Sequence, residues 1–462
     1  MKVALINPYE LGRQPFGLAE AAAWLDREGC TVVCCDLSIQ RLDDSLDVDT
    51  GLVAIYIAMH TATRIAVEAL SKIRQLAPHA DLCVYGLYAP MNADLFRSLG
   101  VQTVLGGEYE PGLVSLVRRL RAGKTGKQPE PEISLDRIDF IAPQRERLPA
   151  LSRYAALVLP DGARRTVGFA ETTRGCKYLC RHCPVVPVYR GRFRAIPAGI
   201  VLDDIRTQVR EGARHISFGD PDFFNGPGHA LKIVRALHEE FPDVTYDATI
   251  KIEHIVNYPR ELRTLKETGC LFIVSAVESV DDDILRELDK GHTRADFIAA
   301  LDLLRTIGID LSPTFVAFTP WTTLTGYLDL LRHLVDLRLV ESVAPVQLSI
   351  RLLIPAGSLL LPLESLAGII EPFDQRLLGH PWRNPDPRVD QLQQDIQSWI
   401  AQAEQDQLPR RIIFQGVWER AHRQAGVAAP PLDASCAGGA IPRLSENWYC
   451  CAEPTGEQLV SF

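Results

Sequence analysis

No apolar stretch of this 462-residue chain reaches the ~18 residues that a membrane helix needs, so a membrane protein is not expected. The first residues, MKVALINPY, lead into a strand-like pattern without the features of a cleavable leader, and a cytoplasmic location is the expectation. Basic blocks and basic-aromatic runs are missing too, with 49 Lys and Arg against 58 Asp and Glu and a net charge of −9. That balance argues against a phosphate backbone, and hence against nucleic acid as the substrate. The eleven cysteines, in a reducing compartment, point to metal ligands, reactive thiols or buried small hydrophobes rather than disulfides. Their positions have to distinguish these.

With 47% hydrophobic residues and the usual ~100–200 residues per domain, about three cores are expected. From Lys2 the pattern runs strand (VALINP), helix (Phe16 to Glu28), strand (TVVCCDL), strand (LVAIYIAM), helix (Thr61 to Leu76), strand (LCVYGL) and a further βα unit around VQTVLGG. Such alternation predicts a doubly wound, Rossmann-like parallel α/β domain over residues 1–122. Residues 123–164 are rich in Pro and charge and read as a surface linker. A second series, RTVGFAETT, HISFGD, TYDATIK, LFIVSAVES, DLSPTFVAF and PVQLSIRLL, predicts a partial (β/α)6 barrel over 165–358, with helices such as Ile200 to Glu211 and Arg294 to Thr306 between strands. Reactive groups then belong at the C-terminal strand ends. A helical region (359–424, including Pro387 to Glu404) and a Gly/Ala/Pro-rich, Cys-containing tail (425–462) complete the chain.

Directly after the first strand of the second series, TTRGCKYLCRHCPV places Cys176, Cys180 and Cys183 at C-x-x-x-C-x-x-C. Iron–sulfur clusters are held by thiolates, and three of them leave one iron open to a substrate. The alternative, a structural zinc site, wants four ligands and usually paired C-x-x-C elements. Arg174, Gly175 and Pro184 can shape the surrounding turn.

Over most of residues 165–358 the chain resembles the radical S-adenosylmethionine (SAM) superfamily. The resemblance implies a [4Fe-4S] cluster on these three cysteines, SAM chelated at the open iron, and an electron donor such as flavodoxin or ferredoxin. His182 stands where that family usually has an aromatic residue. Gly219-Asp220-Pro221-Asp222 occupies the place of the family's Gly-Gly-Glu-like motif, which implies that Asp220 receives the SAM ammonium; the alternative is that Asp220 and Asp222 cap the next turn. Glu278-Ser279 and Lys290-Gly291-His292-Thr293 are similar to stretches that contact SAM in the cobalamin-type members. Arg351 is placed to pair with the SAM carboxylate through its planar fork, the alternative being a solvated arginine at the barrel rim.

Residues 1–122 resemble the cobalamin-binding domain of the same subgroup, and Gly106-Gly107-Glu108 its ring- or phosphate-facing loop. The axial histidine is missing, because Pro8-Tyr9-Glu10-Leu11-Gly12 fills the position of Asp-x-His-x-x-Gly; His60 is the other early candidate. Some members of the subgroup bind cobalamin without that histidine, so cobalamin stands as the alternative and its absence as the expectation. In the tail, Cys450 and Cys451 follow Trp448-Tyr449 and precede Ala452-Glu453-Pro454, with Cys436 fourteen residues before Cys450. Adjacent thiols suit a thiophilic ion or a redox role, whereas Cys34-Cys35 lies in an apolar strand and reads as packing.

The ending CCAEP is similar to that of the CUAEP/CCAEP-tail radical SAM proteins, a family with a member in arsinothricin biosynthesis that is proposed to move the 3-amino-3-carboxypropyl group of SAM onto arsenite. What this implies is a transferase in which Cys436, Cys450 and Cys451 hold As(III) while Asp220, Glu278, Ser279 and Arg351 orient SAM. Two alternatives stand beside it: a cobalamin-dependent radical SAM methyltransferase or rearrangement enzyme, and a non-enzymatic metal or redox sensor.

Overall fold

The computed structural model describes residues 1–124, 128–433 and 437–446. Cys436, Cys450 and Cys451 lie outside the described residues. In the first domain the strands are β1 (Lys2–Asn7), β2 (Thr31–Asp36), β3 (Thr50–Tyr56), β4 (Asp81–Tyr85), β5 (Thr103–Gly107) and β6 (Ile133–Ser134). The helices between them are α1 (Phe16–Arg27), α2 (His60–Leu76), α3 (Ala93–Ser98) and α4 (Glu110–Arg121). The sheet is parallel throughout, in the order β2-β1-β3-β4-β5-β6. Helices cover both faces, so consecutive residues Val3 to Ile6 are all fully buried rather than alternating. Strand order reverses between β1 and β3, the switch point at which doubly wound sheets open their ligand crevice.

The stretch read as a linker contributes to both sheets. It adds β6 to the first, and its strand β7 (Ala156–Val158) pairs antiparallel with β8 (Arg164–Ala170) in the second. The second domain continues with β9 (Thr173–Gly175), α5 (Val185–Tyr189), β10 (Phe193–Ala195), α6 (Ala198–Arg210), β11 (His215–Phe218), α7 (Pro227–Glu240) and β12 (Thr245–Thr249). Then come α8 (Ile252–Asn257), α9 (Pro259–Glu267), β13 (Cys270–Glu278), α10 (Asp282–Glu287), α11 (Arg294–Ile307), β14 (Asp310–Phe315) and α12 (Leu324–Asp336). Strands β14-β13-β12-β11-β8 form the curled parallel wall of a partial barrel, with β7 and the tail strand β15 (Arg443–Leu444) at one edge. Helix α11 shows why its boundary was legible: Thr293 and Asp296 form a reciprocal capping box, and Gly308 ends the helix in the left-handed conformation.

Two segments differ from expectation. PVQLSIRLL contains a short 3-10 turn (Pro345–Leu348) and a single parallel bridge from Arg351 to Phe318, so the sixth barrel position carries no extended strand. Pro345 has no N–H for a ladder, and the Gln347 side chain instead accepts the Phe315 N–H at 3.0 Å. Residues 359–386 are not helical apart from a 3-10 turn at Glu364–Leu366, because Pro362, Pro372, Pro381 and Pro385 interrupt them. Regular helix returns at α13 (Pro387–Gln405) and α14 (Arg410–Gln424). No helix among the described residues is long and apolar enough to cross a membrane.

Candidate active site

The C-terminal strand ends of both sheets face one cavity of about 320 Å³. Its barrel wall includes Cys176, Cys180 and Cys183, Asp220 after β11, Lys251 after β12 and Glu278 at the end of β13. Its other wall comes from the first domain, with Glu10 and Leu11 after β1, Tyr56 at the end of β3 and Tyr109 beyond β5.

The cysteine loop is held from several sides. Gly175 has φ +73, and a Cβ there would lie 2.5 Å from both the Arg192 carbonyl and the Tyr189 ring, so only glycine lets the chain turn into Cys176. Asn225 accepts the Lys177 N–H at 3.2 Å and donates to the Gly175 carbonyl at 3.1 Å, bracketing Cys176. The Arg181 N–H donates to the Leu288 carbonyl, and Ser358 Oγ donates to the Arg181 carbonyl. All three cysteines are free thiols. Burial pushes the Cys176 thiol up to about 11, so a metal has to displace its proton on binding.

Glu278 ends β13 with φ +66, a conformation that non-glycine residues adopt at a cost of about 1–3 kcal/mol and that concentrates at functional sites. Its Oε1 lies 3.1 Å from His182 Nε2 and 3.3 Å from Lys290 Nζ. Burial alone would raise this carboxyl, but Lys290 and the His182 hydrogen bond outweigh it and hold it at about 2. Burial works against the Lys290 charge, yet Glu278 and the thiols of Cys180 and Cys183 raise its pKa above the ordinary value. A buried ion pair thus sits beside the cysteine loop.

The other expected SAM contacts are placed as follows. Asp220 lines the cavity, but its oxygens accept the Thr172 N–H and both hydroxyls of Thr172 and Thr173 at 2.6–3.0 Å, so it positions the β8–β9 connection. Asp222 accepts the Phe224 N–H and contacts His254 Nδ1 at 2.8 Å. Ser279 Oγ accepts the Asp281 N–H. The Arg351 guanidinium pairs with Asp390 at 2.6 Å, donates to the Trp382 carbonyl and stacks 3.5 Å over the Trp382 ring, away from the cavity wall. The cations that do line the cavity are Arg13, Arg174, Lys290 and Lys251, the last 8% exposed with Nζ 3.3 Å from the Tyr178 ring centroid. A lysine at a strand's C-terminal end was its only signal in the sequence.

Arg174 joins the cysteine loop to the first domain. It pairs with Glu20 on α1 and with Glu108 and Glu110 at the start of α4, the last two at 3.0 and 2.6 Å. Burial lowers the Arg174 pKa to about 10 and raises that of Glu108 to about 7.

Parallel strands thus end on a three-thiol loop with an ion pair beside it, an arrangement suited to an iron–sulfur cluster with one open iron. Residues 170–322 match the radical SAM superfamily. Among known proteins, the hopanoid C-3 methylase of Methylococcus capsulatus is 24% identical over 346 residues, covering 70% of this chain and 65% of that protein. A tRNA-2-methylthio-N(6)-dimethylallyladenosine synthase of Sulfurihydrogenibium is 25% identical over 35% of this chain and 38% of its own length. The chain thus spans about two thirds of the first relative and just over a third of the second. Of solved structures, the cobalamin-dependent radical SAM enzyme OxsB, with aqua-cobalamin and SAM bound, superimposes with a TM-score of 0.67 at 17% identity. The match covers 87% of this chain and 67% of that one. The methyltransferase TsrM of Kitasatospora setae gives 0.59 at 18% identity over 73% of each chain. These two share the fold.

The three thiols fit a [4Fe-4S] cluster, which supplies an open iron and an electron for splitting a C–S bond of SAM. A corrinoid fits less well. At the β1/β3 switch point, the Phe16 N–H at the start of α1 is bonded by the Glu10 carboxylate. The Tyr56 ring fills the space over Gly17, where a Cβ would approach it to 2.4 Å. Tyr85 and Tyr109 pack on Tyr56 with centroids 5.3 and 6.2 Å away, and on each other at 4.9 Å. His60 begins α2 but is 2% exposed, does not line the cavity, and is held at about 4 by burial. A corrinoid at this crevice would have to displace the protein's own side chains, and the histidine that lines the cavity, His182, is on the barrel wall and engaged by Glu278.

Proposed function

We propose that this radical SAM enzyme transfers the 3-amino-3-carboxypropyl group of SAM to arsenite, with Cys450 and Cys451, joined by Cys436, presenting As(III) and with flavodoxin or ferredoxin supplying the electron. The observation that carries this reading is where the described tail ends. Strand β15 pairs with β7, the Ser445 N–H donates to the Ala156 carbonyl, and Glu446 accepts the Tyr9 hydroxyl at 2.5 Å. Tyr9 is next to Glu10 and Leu11, which line the cavity. Cys450 follows Glu446 by four residues, and at ~3.3–3.6 Å per extended residue that spans up to about 14 Å.

Soft thiolates retain trivalent arsenic, and holding it beside SAM converts a bimolecular encounter into an oriented one. Lys290 and Glu278 orient SAM on the barrel side, and Lys251 supplies a cation for its carboxylate. A cavity of about 320 Å³ is at the low end of the ~300–1,000 Å³ of small-molecule sites, which suits SAM with an ion-sized partner.

The test is anaerobic incubation of reconstituted protein with dithionite, SAM and arsenite, followed by mass analysis. The expected products are methylthioadenosine and a carbon-bonded arsenical. Cys450→Ser or Cys451→Ser should abolish the arsenical while retaining the cluster spectrum and SAM binding, because a hydroxyl is a hard, protonated ligand; Cys34→Ser should alter stability alone. Both tail variants working at the parent rate would end this reading. A second reading, a cobalamin-dependent methyltransferase, is supported by the arrangement shared with OxsB and TsrM; it would be shown by a bound corrinoid with visible absorption.

A further inference from the structure

Burying a carboxyl without a partner is costly, so each such group calls for an explanation. Glu10 is 9% exposed, lines the cavity, and one of its oxygens, Oε2, has no hydrogen-bond partner. The other is held by the Phe16 N–H. Glu171, between β8 and β9, faces the same cavity, and its nearest cationic contact is Arg174 Nε at 3.9 Å. That guanidinium is already engaged by Glu20, Glu108 and Glu110. Glu10 and Glu171 belong to no group of three His, Cys, Asp or Glu side chains among the described residues that could hold a metal ion, so the pair does not read as a metal site.

We infer that Glu10 and Glu171 are the acid pair at which the hydroxyls of arsenous acid are exchanged for thiols, an inference that rests on the arsenite reading above. The Glu10 carboxyl gives its proton to the departing hydroxide as an As–O bond breaks and an As–S bond forms, releasing water. The incoming thiol's proton then restores the carboxyl. Each exchange is neutral in charge and involves no oxidation or reduction. Glu171 hydrogen-bonds a neighbouring arsenic hydroxyl. The resting protonation state suits this role. Burial raises Glu10 to about 8, with Arg13 and Arg145 opposing and Asp36 adding to the rise. Burial also raises Glu171, helped by Glu10, Asp220, Glu110 and Glu108. Glu10 therefore carries its proton below about pH 8 and loses it above.

The experiment compares arsenite with arsenic already bound by three glutathione thiolates, which has no hydroxyl to expel and a thiol leaving group. In Glu10→Gln the ratio of kcat/KM for arsenite to that for the glutathione complex should fall about a hundredfold, within the range a positioned acid contributes. The alkaline fall of kcat/KM for arsenite near pH 8 should vanish. Glu10→Asp, which keeps an acid, should retain that limb. Cluster content measured on each variant reports folding. If the parent enzyme forms no arsenical from either compound, the proposed function falls. If it does, but Glu10→Gln keeps the parent ratio and pH limb, only the acid role falls. A weakened Kd for SAM with an unchanged ratio would instead make Glu10 part of the SAM site and would also overturn the inference.

Discussion

Arg145 lies in the stretch that reads from sequence as a solvated linker, yet it is 1% exposed. Its guanidinium makes two bonds to Asp204 on α6 at 2.6 and 2.8 Å, one to Gln14 before α1 at 2.8 Å and one to the Phe169 carbonyl at the end of β8 at 2.7 Å. One side chain thus fastens the loop that carries Glu10 to the barrel. Arg145→Met keeps the volume and removes the charge, leaving Asp204 buried at 3% exposure without its cation. Breaking a buried pair in this way costs about 3–5 kcal/mol. At ~2.1 cal/mol/K of unfolding entropy per residue, 462 residues give about 1 kcal/mol/K. The expected fall in Tm is therefore about 3–5 °C, measured calorimetrically at pH 7. Replacing both partners, as Arg145→Met with Asp204→Leu, should recover most of the loss, because no unpaired charge is left behind. A Tm for Arg145→Met within 1 °C of the parent would refute the reasoning and return residues 123–164 to the status of a tether.

Substituting Cys176, Cys180 and Cys183 together by Ala should abolish iron and sulfide binding on reconstitution and all SAM cleavage. A variant retaining four irons per chain would show that the ligands lie elsewhere. Titration of the full chain with aqua-cobalamin should show no stoichiometric binding, because Glu10 and Tyr56 fill the crevice over α1 and His60 is buried away from it. A one-to-one complex with His60 coordinated to cobalt would contradict that account.

The cavity's composition follows from two parallel sheets that end on one space. Loops after parallel strands are where such folds place their chemistry, and here each wall supplies a different kind of group. Thiols, an ion pair and Glu171 come from the barrel, whereas Glu10 and the rings of Tyr56, Tyr88 and Tyr109 come from the first domain.

Local chemistry was legible without the fold. C-x-x-x-C-x-x-C names the cluster ligands because thiolate spacing within one loop is a property of the chain itself. The helices α1, α6, α11 and α13 start and stop within two residues of expectation, since caps and apolar periodicity are local. Pairing between distant residues was not legible. Nothing in the sequence says that Arg351 is taken by Asp390 and Trp382, that Asp220 is occupied by two threonines, or that Lys251 reaches the cavity. The sixth barrel strand was lost for a similar reason: its apolar pattern is strand-like, but Pro345 and the Gln347 side chain replace the ladder. The sequence by itself therefore determined the alternation of elements and the cluster motif. Only the tertiary structure decided which charges are paired, buried or left facing the substrate, because desolvation and ion pairing depend on neighbours that the chain brings together from 39 positions away for Arg351 and Asp390 to 437 for Tyr9 and Glu446.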